Sequence, residues 1–244
     1  MQIESFGLSD IGLSRHNNED VWAEIPSLHF YVLADGMGGH LAGEIASTEA
    51  VESLIKTIRH ILTTKSPLSN NDLSLELKEA ILEANSWVYH LSRENREMQG
   101  MGTTLCCCLL NQNTLIYAHI GDSRIYRFRE QLECLTKDHS LKKQIEEDYH
   151  LYEHRLIEPT FKNVITKAIG TSSHVEPDID FTEVKTGDIY FLCSDGLTDA
   201  VEEEEIAAIL RQSPTIQIAC DRLVKSALAH GGHDNITLLM IKMI

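Results

Sequence analysis

Three aspartates stand at the ends of apolar runs. In "FYVLADGMGG" (residues 30–39) apolar and aromatic residues lead into Asp35, and three of the next four residues are glycine. "IYFLCSDG" (189–196) ends in Asp195-Gly196, and "GGHDNITLLMI" (231–241) sets Asp234 just ahead of a third apolar run. Apolar runs of this length, bounded by turn residues, read as buried strands. One Asp-Gly pair alone would be an ordinary hairpin turn. Three carboxylates at the ends of buried strands predict a converging acidic cluster. Carboxylates with backbone carbonyls and water suit hard cations such as magnesium, manganese or calcium.

The segment "SRHNNEDVW" (14–22) adds Arg15, Glu19 and Asp20 in close succession. It can be a polar turn before a strand, a role that Asn17-Asn18 would serve well. It can equally bring Glu19 and Asp20 to the metals and Arg15 to an anionic substrate, since arginine suits bidentate phosphate recognition. Strand alternation puts positions 15 and 20 on opposite faces, so the second reading requires a bend at the asparagines. No Cys/His zinc constellation is visible. His150 and His154 are spaced i, i+4, but their run "HLYEH" lacks the HExxH pattern and reads as a solvated helix face.

These residues need a scaffold, and a chain of 244 residues with 43% hydrophobic and 24% charged content can build a sizeable core. The net charge of −16 and the lack of a Lys/Arg-rich run argue against nucleic-acid or anionic-membrane partners. No apolar run is long enough to span a bilayer. The six cysteines form no CxxC pair and follow no secretory leader. Cys106, Cys107 and Cys108 lie in a strand pattern, read as small buried residues on alternating faces in a reducing, cytoplasmic setting.

Strands are expected over 2–8, 21–25 and 29–34. Two amphipathic helices follow, from about His40 to Leu62 and from about Asp72 to Glu94. The first turns Ile45, Val51, Leu54, Ile55, Ile58 and Ile61 inward. The second turns Leu73, Leu77, Ile81, Ala84, Trp87, Val88 and Leu91 inward. A meander of strands fills 102–136, an irregular and partly helical segment covers about 138–170, and further strands flank helices near 202–211 and 215–229. Strand blocks separated by helix pairs predict an α+β sandwich with facing antiparallel sheets.

In chain order stand "SDIGLSRHNNED", "VLADGMGGHLAGEIAS", "MGTTL", "AHIGDSRIYRF", "LTKDHSL", "NVITKAIG", "LCSDGLTDAV" and "GGHDNIT". Together, from about residue 8 to 238, they resemble the bacterial branch of the type 2C metal-dependent Ser/Thr protein phosphatases, the PPM superfamily. The resemblance implies one domain over 1–244, a four-layer αββα sandwich with a flap at about 138–170. It implies two tightly bound Mn²⁺ or Mg²⁺ ions, with a third in bacterial relatives. Asp35 would bridge the two metals and the Gly36 carbonyl would bind one. Asp195 and Asp234 would ligate the other, and Asp122 would hold the third ion with Asp195. Glu19 and Asp20 would orient metal-bound water, and Arg15 would grip phosphate. The implied reaction is hydrolysis of phosphoserine and phosphothreonine by metal-activated water, without a phosphoenzyme.

Two departures stand out. Many eukaryotic relatives carry histidine after the Asp-Gly, proposed there as general acid; here Met37 follows, with His40 nearby. The flap run "EEDYHLYEHRLIEPTF" lacks the glycine-containing pattern usual in bacterial relatives. Cysteine phosphatases need Cys-x5-Arg, calcineurin-like enzymes need "GDxHG" and "GNHE", and kinases need a glycine-rich loop with "HRD"; all are absent. A non-catalytic phosphoprotein-binding pseudophosphatase is the rival reading, and would be expected to have lost a metal carboxylate. Expected partners are phosphorylated proteins and a Ser/Thr kinase whose action this chain opposes.

Overall fold

The computed structural model describes residues 2–38, 42–65, 67–94, 96–149 and 164–244. His40, the His150/His154 pair and most of the divergent flap run lie outside the described residues.

Two antiparallel sheets form the centre. The first has the order β1 (Ile3–Asp10), β11 (Ile236–Met243), β10 (Ile189–Cys193), β7 (Arg124–Phe128), β8 (Leu132–Cys134). The second runs β2 (Asp20–Ile25), β3 (Phe30–Met37), β5 (Leu105–Asn111), β6 (Thr114–Ile120), β9 (Asp178–Glu183), with the short β4 (Gly102–Thr103) paired to the end of β3. Helices α1 (Ala42–Thr64) and α2 (Asn70–Glu94) cover the second sheet; α5 (Glu203–Gln212) and α6 (Ile216–Ala229) cover the first. The short α3 (Leu141–Tyr149) and α4 (Asp195–Thr198) lie between strands in the chain.

Three apolar layers hold this together, as αββα stacking requires. Val32, Ala34 and Cys107 face α1 and α2 with Leu54, Ile58, Leu77 and Ile81. Tyr31, Leu33, Cys106 and Cys108 face the other sheet, against Leu192, Leu239 and Ile241. Phe191, Leu238 and Met240 pack on Ile206, Leu210 and Leu223 of α5 and α6. The cysteine run therefore alternates faces as strand geometry demands.

Local chemistry starts the helices where the pattern expects them. The Ser69 hydroxyl accepts the Asp72 N–H at 3.2 Å, and Thr215 caps α6 by accepting from the Ile218 N–H. Trp87 departs from expectation: it is 49% exposed on α2, and its Nε1–H donates to Glu49 Oε2 of α1 at 2.6 Å. An indole can lie along a helix pair with its polar edge outward, which an apolar periodicity count does not register.

The expected meander at 102–136 also divides. β5 and β6 belong to one sheet and β7 and β8 to the other, so the chain changes sheets at Gly121–Ser123. Gly121 has φ +103°, and a Cβ there would lie 2.6 Å from Thr104 Cγ2. Only glycine fits that corner without strain.

Candidate metal centre

The acidic residues gather where strands from both sheets end. Asp20 opens β2 and lies directly opposite Asp35 of β3. Asp195 follows β10 as the first residue of α4, Asp234 precedes β11, and Asp122 follows β6 at the sheet-crossing corner. Position in the chain separates these residues widely; strand pairing unites them.

Arg15 joins them through the bend that alternation required, which falls at His16 and Asn17. Its Nη2 donates to Asp234 Oδ2 at 2.7 Å, and this contact, with the charges of Asp234, Glu19 and Asp35, holds the guanidinium more firmly protonated. Asn235 fixes the same loop. Its Nδ2 donates to the carbonyls of Ile11 (2.9 Å) and Asn17 (3.0 Å), and its Oδ1 accepts the Glu19 N–H at 2.9 Å.

Glu19 is buried, with Oε1 accepting from Asn17 Nδ2 at 3.1 Å. Burial raises its carboxyl above the usual range, opposed by the Asn17 contact and Arg15. Asp20 is 7% exposed; Oδ2 accepts from Ser194 Oγ at 2.8 Å while Oδ1 has no hydrogen-bond partner. Desolvation is the main cause that moves the Asp20 carboxyl from the usual 3.8 to about 6, with Asp234 adding to it.

Asp35 is anchored through its backbone: its N–H donates to Thr104 Oγ1 (2.9 Å), and its carbonyl accepts from Thr104 N (2.8 Å) and Thr103 Oγ1 (2.8 Å). Desolvation, then the charges of Asp20, Asp195, Asp122 and Asp234, hold its carboxyl well above the usual range. Asp195 is raised in the same way, by desolvation and then by Asp122, Asp234, Asp199 and Asp20. Asp122 is pushed up to about 6 by burial and by Asp138 and Asp199, and its buried Oδ1 has no partner. Gly36 donates its N–H to the Glu19 carbonyl at 3.0 Å, and a Cβ there would sit 2.7 Å from that oxygen and nearer still to the Gly43 carbonyl. Close approach of three backbone segments requires glycine at this position.

The structure thus brings together all eight residues that the sequence singled out. It also adds Asp199, four residues past Asp195 in "DGLTD", whose carboxyl adds to the charge felt by both Asp195 and Asp122. The i, i+4 spacing across the turn of α4 was the available signal. Ser194, Asn235 and Thr104, which hold the carboxylates in place, stand inside the strings "LCSDGLTDAV", "GGHDNIT" and "MGTTL", but no residue type or spacing gave them a role of their own.

Such a site cannot ionise fully without added positive charge, because like carboxylates in a desolvated cleft disfavour one another. Orphaned Asp20 Oδ1 and Asp122 Oδ1 are acceptors lacking a partner. An all-oxygen set of this kind fits Mn²⁺ or Mg²⁺ and gives no soft ligand for zinc or copper.

The protein phosphatase 2C family model matches residues 15–229. Over 238 residues the chain is 34% identical to the serine/threonine phosphatase stp of Listeria monocytogenes, covering 96% of this chain and 93% of that protein. The solved S. agalactiae serine/threonine phosphatase matches with a TM-score of 0.90 and 32% identity, over 100% of both chains. The catalytic domain of the serine threonine protein phosphatase PstP, solved in complex with two manganese ions, matches with a TM-score of 0.84 and 34% identity, covering 98% of this chain and 97% of that one.

Proposed function

Because this chain belongs to the protein phosphatase 2C family, we propose that its acidic cleft is the centre that hydrolyses phosphoserine and phosphothreonine in protein substrates. The chain is a metal-dependent protein-serine/threonine phosphatase. The observation that carries the site assignment is the mutual charge burden on Asp35, Asp195, Asp122 and Asp20, which divalent cations would relieve.

In this reading Asp35, the Gly36 carbonyl, Asp195 and Asp234 would hold two divalent ions, and Asp122 with Asp195 would hold a third. When bound, the ions supply a water acidified to near-neutral pKa and neutralise the phosphoryl oxygens. The chain's own residues do the rest. Ser194 aims Asp20 and leaves one of its oxygens free to accept a hydrogen bond from the attacking water. Asn17 and the Asn235 clamp hold Glu19 beside it. Arg15 has a planar fork that can exchange the Asp234 carboxylate for a substrate phosphate.

Met37, half-buried at the end of β3, has a thioether that cannot donate a proton to the leaving oxygen. No thiol nucleophile is needed: burial raises Cys107 and Cys220 to about 12 and raises Cys106, Cys108, Cys134 and Cys193 as well. A binding-only pseudophosphatase is disfavoured, since every carboxylate of the set is present.

Phosphoproteins are the substrates, and we assign their phosphorylation to a partner Ser/Thr kinase. Residues 1–244 act as one catalytic domain in this proposal. No helix among the described residues is long and apolar enough to cross a membrane. Six unpaired cysteines support a reducing, cytoplasmic setting. Turnover of a phosphothreonine peptide should require added Mn²⁺ or Mg²⁺, vanish with chelator and survive thiol alkylation. Full turnover in excess chelator would end the metal reading.

A further inference from the structure

His119, His139 and Asp178 lie outside the acidic cleft, and one potential ligand atom from each falls within 4.8 Å of the others. The residue types are those of a zinc site, but their bonds are otherwise engaged. Lys167 Nζ sits 3.2 Å from His139 Nε2 and 3.3 Å from Asp178 Oδ1, so an ammonium group already holds the place of a cation. His119 Nε2 faces the Lys137 carbonyl at 2.8 Å and must donate to it. The two imidazoles stack in parallel, with centroids 4.6 Å apart and planes 9° apart.

His139 Nδ1 is committed too, and its partner is the corner beside Asp122. The Gly121 N–H donates to His139 Nδ1 at 3.1 Å, and the His139 backbone N–H donates to the Gly121 carbonyl at 2.8 Å. The first of these bonds fixes the tautomer: Nδ1 accepts, so Nε2 carries the proton and faces Asp178 Oδ2 at 3.3 Å. Burial, His119 and Lys167 move the ring down to about 4, which keeps it neutral and able to accept. The His139 carbonyl in turn accepts the Thr166 N–H at 2.7 Å. Gly121 has little freedom, with φ +103° and Thr104 against it, so whatever fixes its amide plane fixes where the Asp122 carboxyl starts.

We infer that His139 is a positioning residue for Asp122: its Nδ1 holds the Gly121 amide, and Asp178, itself paired with Lys167, holds the ring from the far side. This rests on the reading of Asp122 as a metal ligand. Partners one bond removed from a ligand tune affinity because they set the ligand's orientation.

The test compares His139→Asn, His139→Phe and Asp122→Ala in the full chain with Mn²⁺. Asparagine keeps an acceptor oxygen where Nδ1 stands but cannot reach Asp178 or Lys167. Phenylalanine keeps the stacked ring and loses the acceptor. His139→Phe should raise the Mn²⁺ concentration for half-maximal turnover about 10-fold or more and lower kcat, while His139→Asn stays within about 3-fold of wild type. KM for a phosphopeptide should barely move. A purely structural histidine would instead lower the melting temperature of both variants and leave the Mn²⁺ requirement unchanged.

Should the phenylalanine variant not fold, wild-type protein gives a second readout. Titrating Mg²⁺ into the site at Asp122 should shift the ¹⁵N resonances of the Gly121 amide and His139 Nδ1 together. Stationary resonances, or equal shifts of Mn²⁺ requirement in both histidine variants, overturn the inference while Asp122→Ala still shows the ligand effect. A wild-type Mn²⁺ requirement in Asp122→Ala overturns the ligand reading itself, and the inference with it.

Discussion

Asp20→Asn should make the metal-free protein more stable and the enzyme worse. Asp20 is 7% exposed, and its carboxyl is moved from the usual 3.8 to about 6, chiefly by desolvation. A folded value above the unfolded one means that the folded state holds the proton more tightly, so ionised Asp20 opposes folding. The penalty is absent below 3.8, grows as pH rises and is complete above about 6. A move from 3.8 to about 6 corresponds to about 3 kcal/mol at neutral pH. For a chain of 244 residues that is roughly 6–12 °C in Tm. The amide keeps an acceptor for Ser194 and offers its NH₂ to neighbouring Asp35, filling the place of the orphaned oxygen. Thermal unfolding of metal-free wild type and variant should show this gain at about pH 7.5 and lose most of it by about pH 4.5. Saturating Mn²⁺ should raise the wild-type Tm more than the variant's, because the variant has lost a negative charge from the centre. A metal-free variant that melts at or below wild type at the higher pH, or a gain independent of pH, refutes the charge-burden argument.

Asp35→Asn should abolish phosphopeptide turnover at saturating Mn²⁺ while leaving far-UV circular dichroism unchanged; near-wild-type kcat would remove Asp35 from the centre. Gly36→Ala forces a methyl group into the carbonyls of Glu19 and Gly43, and should cost about 1–3 kcal/mol in urea unfolding together with most of the activity. Arg15→Ala should chiefly raise KM, as loss of phosphate grip does, with kcat within a few-fold; a fall confined to kcat would give Arg15 a different role.

Much of this architecture is written in local sequence. Apolar runs closed by Asp-Gly or opened by Asp-Asn declare buried strands with carboxylates at their ends, because period and burial are properties of a few consecutive residues. β3 and β10 lie close to where those runs place them, and the observed α1 and α2 follow the 3.6-residue stripes. The binding reading of Arg15 and Asp20 required a bend at the asparagines, and a bend is present at His16 and Asn17.

Tertiary structure decided the rest. The strands at 102–136 look like one continuous meander, yet sheet partners are chosen over long range, and the chain crosses between sheets at Gly121 to deliver Asp122 to the cleft. Trp87 satisfies an apolar stripe and still faces outward, because Glu49 of another helix takes its N–H. Asp199 counts only because α4 turns it back toward Asp195 and Asp122. His119, His139, Lys167 and Asp178 come from four separate stretches of chain, and no spacing announces them. A sequence shows which groups can ionise, coordinate or pack; which of them share one desolvated volume is set by pairings between residues distant along the chain.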